Sequence, residues 1–281
     1  MARLARPAGR LYLIRKMNSS LAFVLTLGVI AAGSNLIGGA FALLRPGSRR
    51  KPVHYGLAFS GGFLLAVALL HILPEAVSLT PRAPIFIVTG YFLVYLAEHA
   101  FAGHAHGSGS EPHGPHPLIG PHECDGDGHP VRAGAAWSAA IGLLLHSFFD
   151  GAAIAAALTA RPATGWLVFL AVALHKIPEG YSMAEIMLNS SASRTTAFSL
   201  AAGLGCASLA GTLVTALAIT GISGVGGIVL AVAGGMFLHI AATDLLPTTS
   251  RIRGLKVMTA TLAGAVVVIA FSAFLGGVLP R

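Results

Sequence analysis

Apolar residues dominate this chain in long runs that are separated by short polar turns. Each run spans about 20 residues or more, the length that an α-helix needs to cross the hydrocarbon core of a bilayer. Unbroken runs favour helices over a β-barrel, because barrel strands are shorter and alternate in polarity. The pattern predicts an all-α integral membrane protein with eight transmembrane helices, at residues 18–44, 53–80, 83–103, 134–160, 164–189, 195–220, 225–248 and 255–279.

The composition also indicates a polytopic membrane protein. Hydrophobic residues make up 55% of the 281 positions and charged residues only 10%, which excludes an ordinary soluble domain. The formal net charge is +8, but the basic residues are spread over short tails and turns. They therefore predict membrane topology rather than a nucleic-acid partner, and the expected partner is the lipid bilayer.

The distribution of lysine and arginine predicts an orientation. When the basic residues among positions 1–16 are left out, the positive-inside rule places both termini outside and the loop at 104–133 in the cytosol. On one interpretation Met17 begins the native protein and residues 1–16 are an extension. If those residues are counted, the two sides are nearly equal. The sequence does not specify which membrane holds the protein; the candidates are the plasma membrane or, if the protein is bacterial, the inner membrane.

The long polar loop after the third predicted helix is rich in histidine, glycine and proline. Its side chains are of the types that bind Zn²⁺, although their spacing matches no closed structural zinc site. We expect a flexible segment that captures or senses metal weakly. The alternative is a solvated linker with incidental histidines. The candidate ligands are His104, His106, His113, His116, His122, Cys124 and His129.

Two apolar segments each carry a histidine and a carboxylate four residues apart, His146 with Asp150 and His175 with Glu179. Positions i and i+4 lie on one face of a helix, and the short turn near residue 161 makes the two helices antiparallel neighbours. Ionisable groups are costly in a membrane, so they are expected to face a cavity, a partner or an ion path. The four side chains form a plausible tetradentate site for Zn²⁺, and equally for Fe²⁺, Mn²⁺, Co²⁺ or Cd²⁺. No organic cofactor is expected.

The repeated pattern His-x-x-x-Asp/Glu-Gly, with proline in its second copy, resembles the ZIP family of divalent metal transporters. The resemblance extends over most of the chain, including the His-rich loop. Two further motifs carry it, His71-Ile-Leu-Pro-Glu75-Ala76 and Ala242-Thr-Asp244-Leu-Leu-Pro247. It implies a transporter rather than an enzyme, a transport site on the fourth and fifth helices with His146, Asp150, His175 and Glu179 as ligands, and movement of metal toward the cytosol.

The chain departs from the family pattern where many members bind a second metal. Those members carry a polar ligand after each histidine and an acid on the sixth helix, whereas here the positions hold Ser147, Lys176 and Ser208. A lysine ammonium would repel a second cation, so we predict one metal. The alternative for Lys176 is that it extends to the polar headgroups.

Other polar residues suggest a route for the ion. His71 and Glu75 lie toward the predicted outer end of the second helix and are candidates for an entrance, or simply a polar pair at the water interface. The candidates for an exit on the cytosolic half are Glu98, His99, His239 and Asp244. His239 could equally form a hydrogen bond within a packed interface.

These predictions divide the chain into five segments. They are a basic N-terminal tail at 1–17, helices one to three at 18–103, the His-rich loop at 104–133, helices four and five with the metal site at 134–189, and helices six to eight at 190–281. We expect uptake of Zn²⁺ or a related ion by alternating access, weakened at acid pH because metal-bound histidine must be neutral. A homodimer is one alternative for the assembly. The alternative functions are a metal exporter, an intramembrane zinc hydrolase and a metal-sensing receptor.

Overall fold

The structure is a computed structural model that describes residues 7–44, 50–102, 133–247 and 255–278. Within these ranges the chain is helical and contains no strand, which confirms the all-α prediction. The helices are α1 (Pro7–Leu44), α2 (Arg50–Val67), α3 (Leu73–Leu79), α4 (Ala83–Ala102), α5 (Ala133–Ala160), α6 (Pro162–Asn189), α7 (Arg194–Gly221), α8 (Val225–His239) and α9 (Leu255–Val278).

Six stretches in the described ranges have the length and apolar character needed to cross a bilayer. They are Leu21–Leu44, Ala58–Leu79, Ala136–Ala160, Arg194–Gly221, Val225–Thr243 and Leu255–Phe274. Large apolar side chains such as Ile37, Val266 and Phe274 are exposed, as expected for surfaces that face lipid. The protein is therefore a polytopic integral membrane protein.

The two remaining predicted spans are less apolar or shorter. Helix α4 contributes the apolar stretch Ala83–Ala97, which is shorter than the six. Helix α6 is long, but it carries His175, Lys176 and Glu179 near its middle. The eight-span topology therefore stays a prediction.

Two short π-helical segments interrupt the α-helical geometry. Ala68–Ile72 joins α2 to α3, and Ile240–Leu245 follows α8. In the first, the Leu73 N–H donates to the Ala68 carbonyl five residues earlier. Pro74 follows directly and supplies no N–H, which disturbs the ordinary hydrogen-bond ladder at this point.

The helices pack as two groups. Helices α1, α5, α6 and α7 contact one another extensively and are here called the site bundle. Helices α2, α3, α4, α8 and α9 form the second group, the support bundle. The bundles meet mainly where α5 contacts α8 and where α2 contacts α6.

Close approach within the site bundle depends on glycine. A Cβ atom at Gly151 of α5 would overlap the Ser208 carbonyl oxygen of α7, and one at Gly211 would overlap the Phe148 carbonyl oxygen. The Thr212 hydroxyl donates to the Gly151 carbonyl at 3.1 Å. Small residues thus allow α5 and α7 to touch backbone to backbone, as in other membrane helix pairs.

Candidate metal site

The candidate ligands lie on α5 and α6, which a very short turn holds side by side. The Arg161 N–H closes α5 by donating to the Ala157 carbonyl at 2.9 Å, and Pro162 opens α6 immediately afterwards. Proline suits the first turn of a helix because its missing N–H would have no partner there. The two helices are consequently antiparallel, and the middle of each lies at a similar depth.

One ligand atom from each of four buried side chains converges on a single point. The atoms all lie within 4.8 Å of one another, and the residues are His146, Asp150, His175 and Glu179. Asp150 Oδ2 is central, because it lies 3.2 Å from Nε2 of His146 and 3.2 Å from Nε2 of His175. Ligands at about 2.0–2.1 Å from a tetrahedral ion are separated by about 3.3 Å. The observed spacing therefore suits shared coordination of one ion.

The hydrogen bonds of the histidines also suit a cation. The Nδ1–H of His175 donates to the Ala171 carbonyl at 2.8 Å, since a carbonyl can only accept. In the neutral ring this leaves a lone pair on Nε2, which faces a carboxylate oxygen. Both ring nitrogens of His146 and Oδ1 of Asp150 have no hydrogen-bond partner within the described part of the chain. Buried polar atoms without partners are uncommon, and a metal ion would satisfy the unprotonated nitrogen of His146 and a lone pair of Asp150.

Lys176 places a positive charge inside the same cluster. Its side chain is fully buried, and its Nζ lies 2.9 Å from Asp150 Oδ2 and 3.1 Å from Glu179 Oε2. Nζ also donates to Ser147 Oγ at 3.0 Å, and that hydroxyl donates to Glu179 Oε1. The alternative in which Lys176 extends to the headgroups is therefore wrong.

Ser208, which with Ser147 and Lys176 departs from the family pattern described above, is fully buried on α7. Its hydroxyl has no hydrogen-bond partner in the described part of the protein. Phe237 of the support bundle packs against the site, with its ring and the His175 ring in an edge-to-face arrangement at a centroid distance of 6.1 Å. Both bundles thus contribute to the surroundings of the cluster.

Asn35 is a supporting residue that the sequence analysis missed. It is fully buried on α1. With the amide oriented by its neighbours, its nitrogen donates to the Lys176 carbonyl at 2.7 Å and its oxygen accepts from the Gly205 N–H at 3.3 Å. The residue ties α1 to α6 and α7 at the depth of the site. The available signal was a lone asparagine in an apolar run.

The proposed entrance residues lie apart from the four-residue cluster. His71 contacts Ser272 Oγ through Nε2 at 2.6 Å. Glu75 is buried and pairs with Arg161 of the α5–α6 turn, with 3.2 Å between Arg161 Nε and Glu75 Oε2. This ion pair joins the site bundle to the support bundle at the end of the molecule where α5 and α6 meet. The entrance role stays a prediction.

The proposed exit residues are only partly described. His239 is buried on α8, with its ring 4.7 Å from the Tyr91 ring and 6.3 Å from the Tyr95 ring, centroid to centroid. The side chains of Glu98, His99 and Asp244 lie outside the described part of the structure. The His-rich loop, with His104, His106, His113, His116, His122, Cys124 and His129, also lies outside the described residues.

In a comparison with models of protein families, the model described as ZIP Zinc transporter matches residues 120–272, which is more than half of the chain. The matched region includes α5 to α8 and most of α9. No curated protein matches this chain. The match confirms the family resemblance drawn from the sequence motifs.

Proposed function

The chain belongs to the ZIP zinc transporter family, and on this premise we propose that it carries Zn²⁺ or a related divalent ion toward the cytosol through one intramembrane site. Divalent metal transport follows from the family. The observation that carries the proposal of a site is the buried convergence of four ligand atoms on α5 and α6. The ligands that we propose are His146, Asp150, His175 and Glu179.

The donor set supports a borderline metal as substrate. Two imidazole nitrogens with two carboxylates suit Zn²⁺ and also Fe²⁺, Mn²⁺, Co²⁺ and Cd²⁺, whereas calcium and magnesium favour oxygen ligands alone. Zinc is the choice that agrees with the family description. The scheme requires no organic cofactor and no enzymatic step.

The charge balance supports a single metal. Both carboxylates of the cluster already face the Lys176 ammonium, at 2.9 and 3.1 Å. A divalent ion and a unit positive charge about 4 Å apart repel by about 8 kcal/mol at an effective dielectric constant of 20. The two carboxylates can offset that repulsion for one ion. A second ion would find no further acid among Ser147, Lys176 and Ser208.

We propose eight spans, with the site between the fourth and fifth, which are α5 and α6. The polar ligands account for the lower apolar character of α6. His71 and Glu75 lie at the proposed outer end, and the exit candidates Glu98, His99, His239 and Asp244 lead toward the His-rich loop. That loop is proposed to capture or sense metal on the cytosolic side.

The packing of the helices supports alternating access. The site bundle holds all four proposed ligands, and the support bundle covers them through α8 and α2. Relatives in the family are expected to slide the ligand-bearing helices like an elevator, and the small residues in this chain would permit such motion. The Glu75–Arg161 ion pair between the bundles would have to break or shift during that movement.

Three rival functions have different outcomes in experiments. An exporter would lower the zinc content of cells that express it, and a sensor would show little flux. A zinc hydrolase needs a general base beside an activated water, yet the sequence contains no His-Glu-x-x-His motif. Hydrolysis of a lipid or peptide by the purified protein would favour that rival.

The test is zinc flux into proteoliposomes that contain a zinc-sensitive dye. Wild-type protein is expected to give saturable influx, and His175→Ala is expected to lose it because one of two imidazole ligands is gone. Expression in cells should raise total zinc if transport runs toward the cytosol. Unchanged flux in His175→Ala would count against the site.

A further inference from the structure

Lys176 is a cation that any transport cycle of this protein has to accommodate. Its side chain is fully buried, and its Nζ contacts Asp150 Oδ2 at 2.9 Å and Glu179 Oε2 at 3.1 Å. The same Asp150 Oδ2 lies 3.2 Å from Nε2 of both His146 and His175. The ammonium and a metal ion held by the two imidazoles would therefore compete for one oxygen atom.

Building on the proposed function, we infer that Lys176 is a tethered counter-cation. It trades places with the substrate metal at Asp150 and Glu179, and its charge allows the unloaded carrier to return across the membrane. Ser147 provides a place for the displaced ammonium, because its Oγ accepts from Nζ at 3.0 Å. The lysine stem is flexible enough to keep that contact while the carboxylates turn to a metal ion.

The charges of the cluster explain why a cation that belongs to the protein itself affects transport. With neutral imidazoles, two carboxylates and one ammonium leave a single negative charge when no metal is bound. A divalent ion changes this to a single positive charge. Without Lys176 the unloaded cluster would carry two negative charges and the loaded cluster none. Each further uncompensated charge in a bilayer lowers the population of the crossing state by about a hundredfold on insertion scales.

Removal of the lysine charge should therefore separate two transport modes. Loaded carriers that cross in both directions exchange zinc for zinc and never return unloaded. Net uptake into vesicles without zinc requires the unloaded carrier to return in every cycle. Loss of the charge penalises only the unloaded return, so net uptake should fall while exchange continues.

The experiment compares wild type, Lys176→Met and Lys176→Gln in proteoliposomes. Net uptake of radioactive zinc is measured in vesicles without internal zinc, and exchange is measured in vesicles loaded with unlabelled zinc. In both variants the ratio of net uptake to exchange is expected to fall at least about tenfold below the wild-type ratio. The matched control is Lys256→Met at the exposed start of α9, which should leave both modes within about twofold.

The remaining outcomes overturn the inference. Net uptake that is unchanged in both variants shows that the charge of Lys176 is not needed for the return. Loss of exchange together with net uptake in both variants shows that Lys176 serves binding or folding instead. Wild-type protein that moves no zinc in either mode would contradict the proposed function itself, which distinguishes the two failures.

Discussion

Asp150 is the residue whose loss should affect the cluster most, because one of its oxygens meets three other groups. Asp150 Oδ2 lies 3.2 Å from Nε2 of His146, 3.2 Å from Nε2 of His175 and 2.9 Å from Nζ of Lys176. Asp150→Asn keeps the shape of the side chain and removes its charge. It therefore tests the electrostatic role of that oxygen with little change in packing.

Two effects are expected, and their sizes follow from the contacts. Removing one partner of a buried ion pair lowers the free energy of unfolding by about 3–5 kcal/mol. The loss should be near the lower limit here, because Lys176 Nζ still has a second carboxylate partner, Glu179 Oε2, at 3.1 Å. Zinc affinity should fall by more than the roughly 10–100-fold lost when a group outside the coordination sphere is removed. We expect a loss of at least about 100-fold.

The assay is a zinc titration of detergent-solubilised protein against a competing fluorescent chelator, with thermal unfolding as a check of the fold. Lys256→Met is the control, because it removes the charge of an exposed side chain at the start of α9, outside the four-residue cluster. Its zinc affinity should stay within about twofold of wild type. Zinc binding by folded Asp150→Asn at wild-type affinity would refute the assignment of this carboxylate as a ligand.

Three further substitutions test the surroundings of the site. Arg161→Ala should lower the KM for zinc transport at low salt, because it removes a positive charge beside Glu75. When the flux assay is repeated at high salt, the KM values of the variant and the wild type should differ little. Asn35→Ala should lower the free energy of unfolding by about 1–3 kcal/mol, because two buried hydrogen bonds between helices are lost; an unchanged melting temperature would contradict those bonds. Gly211→Ala should lower the free energy of unfolding by about 1–3 kcal/mol in the same melting assay, because the new Cβ would overlap the backbone of α5. Gly33→Ala is its control, because there is open space at that Cβ position, and it should not destabilise the protein.

The convergence of the four candidate ligands could be predicted from the sequence because their geometry is local. The spacing of His146 from Asp150, and of His175 from Glu179, fixes one face on each helix. The short turn at Arg161 leaves only an antiparallel arrangement of those helices. Helical periodicity and turn length were therefore enough to bring four side chains together, and the structure places them within 4.8 Å.

The features that the sequence did not predict depend on packing between distant segments. Asn35 reaches the Lys176 carbonyl only because α1 packs on α6, and no spacing rule connects them. The pairing of Glu75 with Arg161 likewise requires the two bundles to meet at one end. Pro74 was the only sequence signal near the π-helical segment at Ala68–Ile72. A proline predicts that the helix is disturbed, but it does not predict that the disturbance is a π-helix.

The most direct test of the central claim is anomalous diffraction from zinc-bound protein at the zinc absorption edge. We expect one fully occupied zinc ion, about 2.0–2.2 Å from Nε2 of His146, Nε2 of His175 and one carboxylate oxygen each of Asp150 and Glu179. Two fully occupied ions between α5 and α6, or a zinc ion bound elsewhere with this cluster unligated, would contradict it.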